Sequence, residues 1–171
     1  MKQSSIIIII LSIAFTAFAQ DDLTELDKRN GFKNIKMGMH IDSVAGSKFK
    51  KDIKEKGHHP AKLFEVINPE NATIGEVVVN KIEVKTYKDL IYEIAVITAK
   101  DPRLMKGMES ALGKPIYDVR DESYTWIGKN LTLKFKPASK TSLELLYSSA
   151  IIKRMMEDDK KKKIDDIADD F

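Results

Sequence analysis

The run from Leu90 to Ala99 constrains this chain more than any other segment, because it is apolar on both sides of an extended strand. In a strand, Ile94 and Val96 would share one face and Ala95 and Ile97 the other. Apolar residues on both faces are typical of a strand in the middle of a sheet. We therefore predict a sheet with this segment at its centre, covered on each side.

Six further strands are predicted from short apolar or alternating runs that end at Gly, Pro or Asn. The clearest is Leu131 to Lys136, in which three apolar residues alternate with three polar ones. Turn residues between the runs favour antiparallel pairing. The other five are Phe32 to Met37, Leu63 to Ile67, Gly75 to Thr86, Ile116 to Ile127 and Ser142 to Ser148.

A first long helix is predicted from Ile41 to Lys56, because Ala45, Phe49 and Ile53 recur every four residues. Charged residues occupy the remaining positions, as on a surface helix. A shorter helix, of one or two turns, is also predicted around Leu23 to Leu26.

A second long helix is predicted from Pro102 to Leu112. Asp101 can cap its free amides, Pro102 suits the first helical position, and Gly113 ends it. Together the patterns predict an α+β fold with a mainly antiparallel sheet and two helices packed on one face.

The order of helix, three strands, helix, three strands is consistent with two tandem units. Ile82, Val84, Ile94 and Val96 align at a constant offset of 49 with Leu131, Leu133, Leu143 and Leu145. Two hairpins with the same hydrophobic pattern would give this spacing without a duplication, so both explanations stay open.

From Ile35 to Tyr147 the chain resembles periplasmic proteins built from tandem helix-plus-sheet units, such as the β-lactamase inhibitor protein and BamE-type lipoproteins. The resemblance is carried by Gly38-Met39, by Leu112-Gly113-Lys114-Pro115 and by Trp126. It implies a periplasmic protein that binds other proteins. None of the contact residues of those families can be placed on this sequence.

Residues 1–19 have the pattern of a secretory signal peptide. Lys2 precedes the apolar segment from Ile6 to Phe18, and Ala17-Phe18-Ala19 is a cleavage signal before Gln20. The alternative is a retained membrane anchor. The thirteen residues of the apolar segment fall short of the roughly 20 that a spanning helix needs.

The chain contains no cysteine, so neither a disulfide framework nor a thiolate metal site can form. Because Gln20 stands where a lipoprotein carries its lipid-bearing Cys, we expect a periplasmic or secreted protein that is not a lipoprotein and has no stable membrane anchor. The charges of the 29 basic and 26 acidic residues nearly cancel, so the chain has no strong positive electrostatic field that would attract nucleic acid.

The predicted domain order is residues 20–31 as an N-terminal segment, 32–149 as the α+β domain, and 150–171 as a charged amphipathic helix or tail. Two interpretations of the last segment remain open. Its first apolar cluster packs on the sheet and the rest is solvated, or Ile164, Ile167 and Phe171 form an arm that binds a partner groove.

Three aromatic residues near the second helix are candidate binding residues: Tyr117, Tyr124 and Trp126. Tyr124 and Trp126 share a face of one strand, and such side chains are enriched at protein interfaces. The alternative for Trp126 is structural, with its ring anchoring the sheet to the helix from Leu104 to Leu112.

No familiar catalytic constellation is present. The acidic cluster at Asp118, Asp121 and Glu122 is typical of a solvated loop, and adjacent His58 and His59 point apart, which does not suit a metal site. We predict no catalytic residues, no metal and no cofactor.

The sequence therefore favours an exported, non-catalytic binding or protein-interaction module. Its partner would be another exported protein, or a second copy of the chain. The alternative is a small periplasmic enzyme, or a binder of a small ligand or cell-wall fragment, with a pocket between helices and sheet.

Overall fold

A computed structural model describes residues 23–55 and 60–168, which form an α+β fold. The predicted signal peptide, Phe171, His58 and His59 lie outside the described residues. The three described helices are α1 (Glu25–Arg29), α2 (Pro102–Leu112) and α3 (Ala150–Ala168).

Eleven strands are described. Two form a small hairpin, β1 (Gly31–Phe32) with β2 (Ile35–Lys36), and nine form a second, antiparallel sheet. The nine are β3 (Ser47–Lys54), β4 (Pro60–Val66), β5 (Thr73–Ile74), β6 (Val77–Tyr87), β7 (Leu90–Ala99), β8 (Ile116–Asp118), β9 (Ser123–Ile127), β10 (Leu131–Pro137) and β11 (Ser142–Ser149). From edge to edge the order is β3, β4, β6, β7, β11, β10, β9, β8, and β5 pairs with β6.

The central position of β7 is confirmed, since it lies between β6 and β11. On one face, Ile94 and Val96 are fully buried in the main hydrophobic core, and we call this the core face. On the other face, Ala95 and Ile97 are only half-buried. The predicted covering of both faces is thus complete on the core face and partial on the outer face.

The long helix predicted from Ile41 to Lys56 is wrong. The segment instead forms a short 3₁₀ turn at Ile41–Ser43 and then edge strand β3. Phe49 pairs with Phe64, with ring centroids 5.6 Å apart, and Ile53 pairs with Ala61. A spacing of four fits one face of a strand as well as a helix. The pairing with β4 makes this segment a strand, and the sequence of the segment alone does not show that pairing.

Two helices lie on the core face, although the first is the short α1 rather than the predicted long helix. Leu26 of α1 and Leu104 of α2 are both buried in the main core. The bounds of α2 are confirmed, and the side chain of Asp101 accepts a hydrogen bond from the amide of Arg103.

Each half has a helix followed by four main strands, α1 before β3, β4, β6 and β7, and α2 before β8, β9, β10 and β11. The order across the sheet is mirrored about the β7–β11 pair, so each unit has four main strands rather than the predicted three. The registers of the two central hairpins differ, however. Ile82 pairs with Val96, so a duplicated hairpin would pair Leu131 with Leu145, whereas Leu131 pairs with Ser149. The shared spacing therefore reflects apolar residues on the core face rather than a common hairpin geometry.

Two predicted strands are hairpins instead. Phe32 to Met37 contains a turn in which Lys33 has φ of 48°, and it forms β1 and β2. Ile116 to Ile127 is broken by a turn at residues 119–122, which separates β8 from β9. Both turns use non-glycine residues, which carry a weaker turn signal.

The C-terminal helix packs on the outer face at one end of the sheet. Ile152 and Met156 are buried in a second, smaller cluster with Tyr87, Tyr92 and Ala61. The hydroxyl of Tyr87 donates a hydrogen bond of 2.7 Å to Asp159. From Lys160 to Ala168 every residue is exposed.

Candidate functional site

A groove of about 460 Å³ opens between α2 and the core face of the sheet. Leu133 and Leu145, from neighbouring strands, line its floor, and Phe32 and the loop from Ile74 to Val77 line its walls. The remaining lining comes from one side of α2 and from Arg29 and Tyr147. Four of the lining residues carry polar side-chain groups: Arg29, Glu76, Arg103 and Tyr147. Its volume lies within the roughly 300–1,000 Å³ of typical small-molecule sites.

The groove stays open because α2 presents small residues along it. Gly107 and Ala111, four residues apart, lie on one side of the helix and both line the groove. A Cβ atom added at Gly107 would meet no atom within 4 Å. Larger side chains, Leu104 and Met108, lie beside them and pack against the core. Leu104 and Met108 thus anchor the helix to the core, and the small residues Gly107 and Ala111 leave space for the groove.

Two arginines line the groove in different electrostatic states. Nη2 of Arg103 lies 2.8 Å from Asp101, and Nη1 lies 2.9 Å from Glu76. These contacts raise the pKa of Arg103, which stays positively charged, and the two carboxylates compensate that charge. The guanidinium of Arg29 makes no ion pair with any acidic residue in the described part of the chain.

Tyr147 brings a buried phenol to the groove. Its ring lies 6.4 Å from that of Phe32, measured between centroids. Burial raises the pKa of Tyr147 to about 12, and the nearby positive charge of Arg29 acts in the opposite direction. The phenol is therefore protonated at neutral pH. Its hydroxyl makes no hydrogen bond to another described residue, so it remains able to donate one to a ligand.

Trp126 lies in the core rather than on a surface. It is 4% exposed, and its indole N–H donates a 2.7 Å hydrogen bond to the carbonyl of Gly113, at the end of α2. This placement favours the structural alternative, an anchor between the sheet and the second helix.

Tyr117 and Tyr124 form a cross-strand pair on β8 and β9, as their ring centroids lie 4.7 Å apart. Tyr124 shares the core face with Trp126, as predicted, but it is half-buried, whereas Tyr117 is exposed. Neither lines the groove.

An exposed apolar patch surrounds this hairpin and was not predicted. Ile116 is 62% exposed, Val119 is 75% exposed and Ile127 is 61% exposed. Ile116 pairs with Thr125, so Ile127 lies diagonally beside it on the outer face. We call Ile116, Tyr117, Val119 and Ile127 the edge patch. Ile116 and Ile127 lie on the outer face of this edge, and Tyr117, which pairs with Tyr124, lies on its core face.

Ile164 and Ile167 are 56% and 60% exposed on the last turns of α3. They touch neither hydrophobic cluster. The described part of the helix therefore has Ile152 and Met156 packed on the sheet and Ile164 and Ile167 in solvent.

The acidic cluster forms a solvated turn. Asp118 accepts a hydrogen bond from the amide of Arg120, and Asp121 pairs with Lys134 at 2.9 Å, which lowers the pKa of Asp121. His40 caps the 3₁₀ turn through its Nδ1. Across residues 23–55 and 60–168, no three His, Asp or Glu side chains are grouped so as to hold a metal ion.

The groove residues were missed by sequence reasoning, because Arg29, Gly107 and Tyr147 come from three distant segments. One available signal was Gly107. A glycine inside an otherwise well-formed amphipathic helix lowers its stability and invites a packing or functional reason.

The chain matches no family model, and searches of curated proteins and of solved structures also found no match. Among the described helices, none is both long enough and apolar enough to cross a membrane.

Proposed function

We propose that this chain is an exported, non-catalytic binding protein that holds a largely apolar small molecule in the groove beneath α2. The observation that carries the proposal is the groove itself, an apolar space of about 460 Å³ kept open by Gly107 and Ala111. A concave apolar site with few polar groups is the usual form of a ligand pocket. The leader-like pattern of residues 1–19 supports export.

The helix offers a direct test through Gly107→Leu. Gly107 lines the groove and a Cβ atom there would meet no atom within 4 Å, so the new side chain has room to project into the groove. The change also replaces a helix-interior glycine, which favours folding by about 1 kcal/mol. We expect binding of the neutral dye 1-N-phenylnaphthylamine, read by its fluorescence increase, to weaken at least about fivefold, or roughly 1 kcal/mol, because the new side chain would occupy space that the dye needs.

Ser110→Leu is the matched control, since Ser110 is exposed on the same helix and does not line the groove. It should bind the dye as the unmodified protein does. If Gly107→Leu and Ser110→Leu bind equally well, the dye lies elsewhere and the groove is not the binding site.

A second candidate function is self-association through the edge patch. The two edges of the nine-stranded sheet differ. Edge strand β3 carries Lys48, Lys50, Lys51 and Lys54 and a bulge, features that discourage pairing with another strand. The opposite edge, β8, carries Ile116 and Tyr117 and no lysine. A second copy could therefore cover the edge patch, burying apolar surface on both chains.

Sedimentation velocity over a range of protein concentrations tests this second candidate. We expect a faster-sedimenting species at high concentration that Ile116→Lys abolishes, because a charge would be buried in the contact. Ile167→Lys, at a similarly exposed isoleucine of α3, should leave it unchanged. A single monomeric species at every concentration would contradict self-association.

A further inference from the structure

We infer that the groove selects an amphiphile whose apolar body ends in a carboxylate, with Arg29 and Tyr147 binding the carboxylate. The inference rests on the proposed function and adds the chemical class of the ligand. It depends on the different states of the charged groups that line the same groove.

Arg29 is the cation available to a ligand. Arg103 is already held by Asp101 and Glu76, so an anion near it would meet two carboxylates. Arg29 makes no ion pair with a described acidic residue and is attracted only at longer range by Glu25 of the same helix. Its planar guanidinium can hold a carboxylate through two parallel hydrogen bonds. Carboxylates in direct contact therefore compensate the positive charge of Arg103, whereas no carboxylate is in direct contact with Arg29.

A second cation adds to the positive charge beside Arg29. The ammonium of Lys36 donates a 2.8 Å hydrogen bond to the backbone carbonyl of Arg29. A carbonyl does not neutralise its charge, and Lys36 makes no ion pair with the described acidic residues. Lys36 does not line the groove, so its ammonium adds only a longer-range attraction for an anionic end close to Arg29.

Tyr147 supplies the neutral donor. Its hydroxyl is protonated at neutral pH and makes no hydrogen bond within the described structure, so it is free to donate one to a ligand. A ligand carboxylate close to Arg29 could accept a hydrogen bond from it. Apart from the paired Glu76 and Arg103, the rest of the groove is lined by apolar residues, among them Leu133, Leu145 and Met108, which suit a hydrocarbon body.

The test is displacement of 1-N-phenylnaphthylamine by dodecanoate and by 1-dodecanol, which share a chain and differ in the head group. With protein expressed from the full sequence, dodecanoate should displace the dye at a concentration roughly tenfold or more below that of 1-dodecanol, as expected for charge-assisted hydrogen bonds. Arg29→Gln should remove this difference, and Tyr147→Phe should reduce it. Arg103→Gln should preserve it.

The outcomes separate this inference from the proposed function. If the dye binds but both compounds displace it equally, or if Arg29→Gln keeps the preference for dodecanoate, the groove binds ligands without selecting a carboxylate and the inference is overturned. If the dye does not bind at all, the proposed function fails and the inference fails with it. Arg29 is exposed, so its variant should fold, and circular dichroism checks this.

Discussion

Trp126→Ala is expected to lower the free energy of unfolding by about 3–5 kcal/mol, the usual cost of truncating a large buried aromatic side chain. The indole is 4% exposed and belongs to the main core. Its N–H bond to the carbonyl of Gly113 fixes the end of α2, which lines the groove. The change should therefore both open a cavity and loosen the helix.

Urea unfolding followed by far-ultraviolet circular dichroism measures this effect, since the variant lacks the only tryptophan. Trp126→Phe keeps a ring but loses the donor, and it should cost less, about 1–2 kcal/mol. Tyr117→Ala, at an exposed position of the same aromatic group, should shift the midpoint little. An unchanged midpoint for Trp126→Ala would show that this residue does not anchor the sheet to α2 and would favour its prediction as a binding residue.

The parts of the fold that the sequence predicts correctly are those set by local chemistry. Asp101, Pro102 and Gly113 act on neighbouring amides and carbonyls, so they define α2 without reference to the rest of the chain. The apolar run of β7 is also local, and the sheet places that strand at its centre.

The predictions that are wrong concern segments whose structure depends on residues distant in the sequence. Nothing within Ile41 to Lys56 indicates that Phe49 will meet Phe64 or that a bulge will follow it. A close approach also constrains this segment, because a Cβ atom at Gly46 would clash with the carbonyl oxygen of Ile67. Only the paired strands create that constraint.

The candidate site shows the same division. Tyr117, Tyr124 and Trp126 are recognisable as aromatic residues on one face, but their exposure depends on what packs above them. The groove is assembled from α1, α2 and the sheet, so no single stretch of sequence contains it. Arg29 and Tyr147 can be recognised as candidate ligand-binding groups only once the fold shows that they line the same groove.

Asp27 joins α1 to the sheet, and replacing it is expected to cause the second large loss of stability. The carboxylate is 7% exposed and accepts 2.8 Å hydrogen bonds from the amides of Lys129 and Asn130, in the turn between β9 and β10. Burial opposes its ionisation. Hydrogen bonds from Asn130, Thr24 and Lys129 outweigh the burial, so the pKa of Asp27 lies below its usual value.

Gly128 makes this contact possible. A Cβ atom at that position would lie 2.6 Å from Oδ1 of Asp27, so a larger residue would push the carboxylate away from the turn. The N-terminal helix is thus held against the β9–β10 turn by one buried charge. Arg29, two residues further along α1, is positioned at the groove by the same attachment.

Asp27→Ala should therefore lower the free energy of unfolding by about 3 kcal/mol, because it leaves amides of the turn without their charged acceptor. For a protein of this size that corresponds to a fall of roughly 6–12 °C in melting temperature. Glu25→Ala is the control on the same helix, since it removes only an exposed pair with Lys28 and should change the melting temperature little.

The effect of Asp27 also has a defined pH dependence. A carboxyl group whose pKa is depressed by folding contributes its full stability above the unfolded-state pKa of about 3.9, and loses it as the pH falls through the lower folded-state value. The difference in melting temperature between the unmodified protein and Asp27→Asn should therefore be constant near neutral pH and narrow below about pH 4. A difference that stays constant into that acidic range would mean that the carboxylate charge does not hold α1 to the turn.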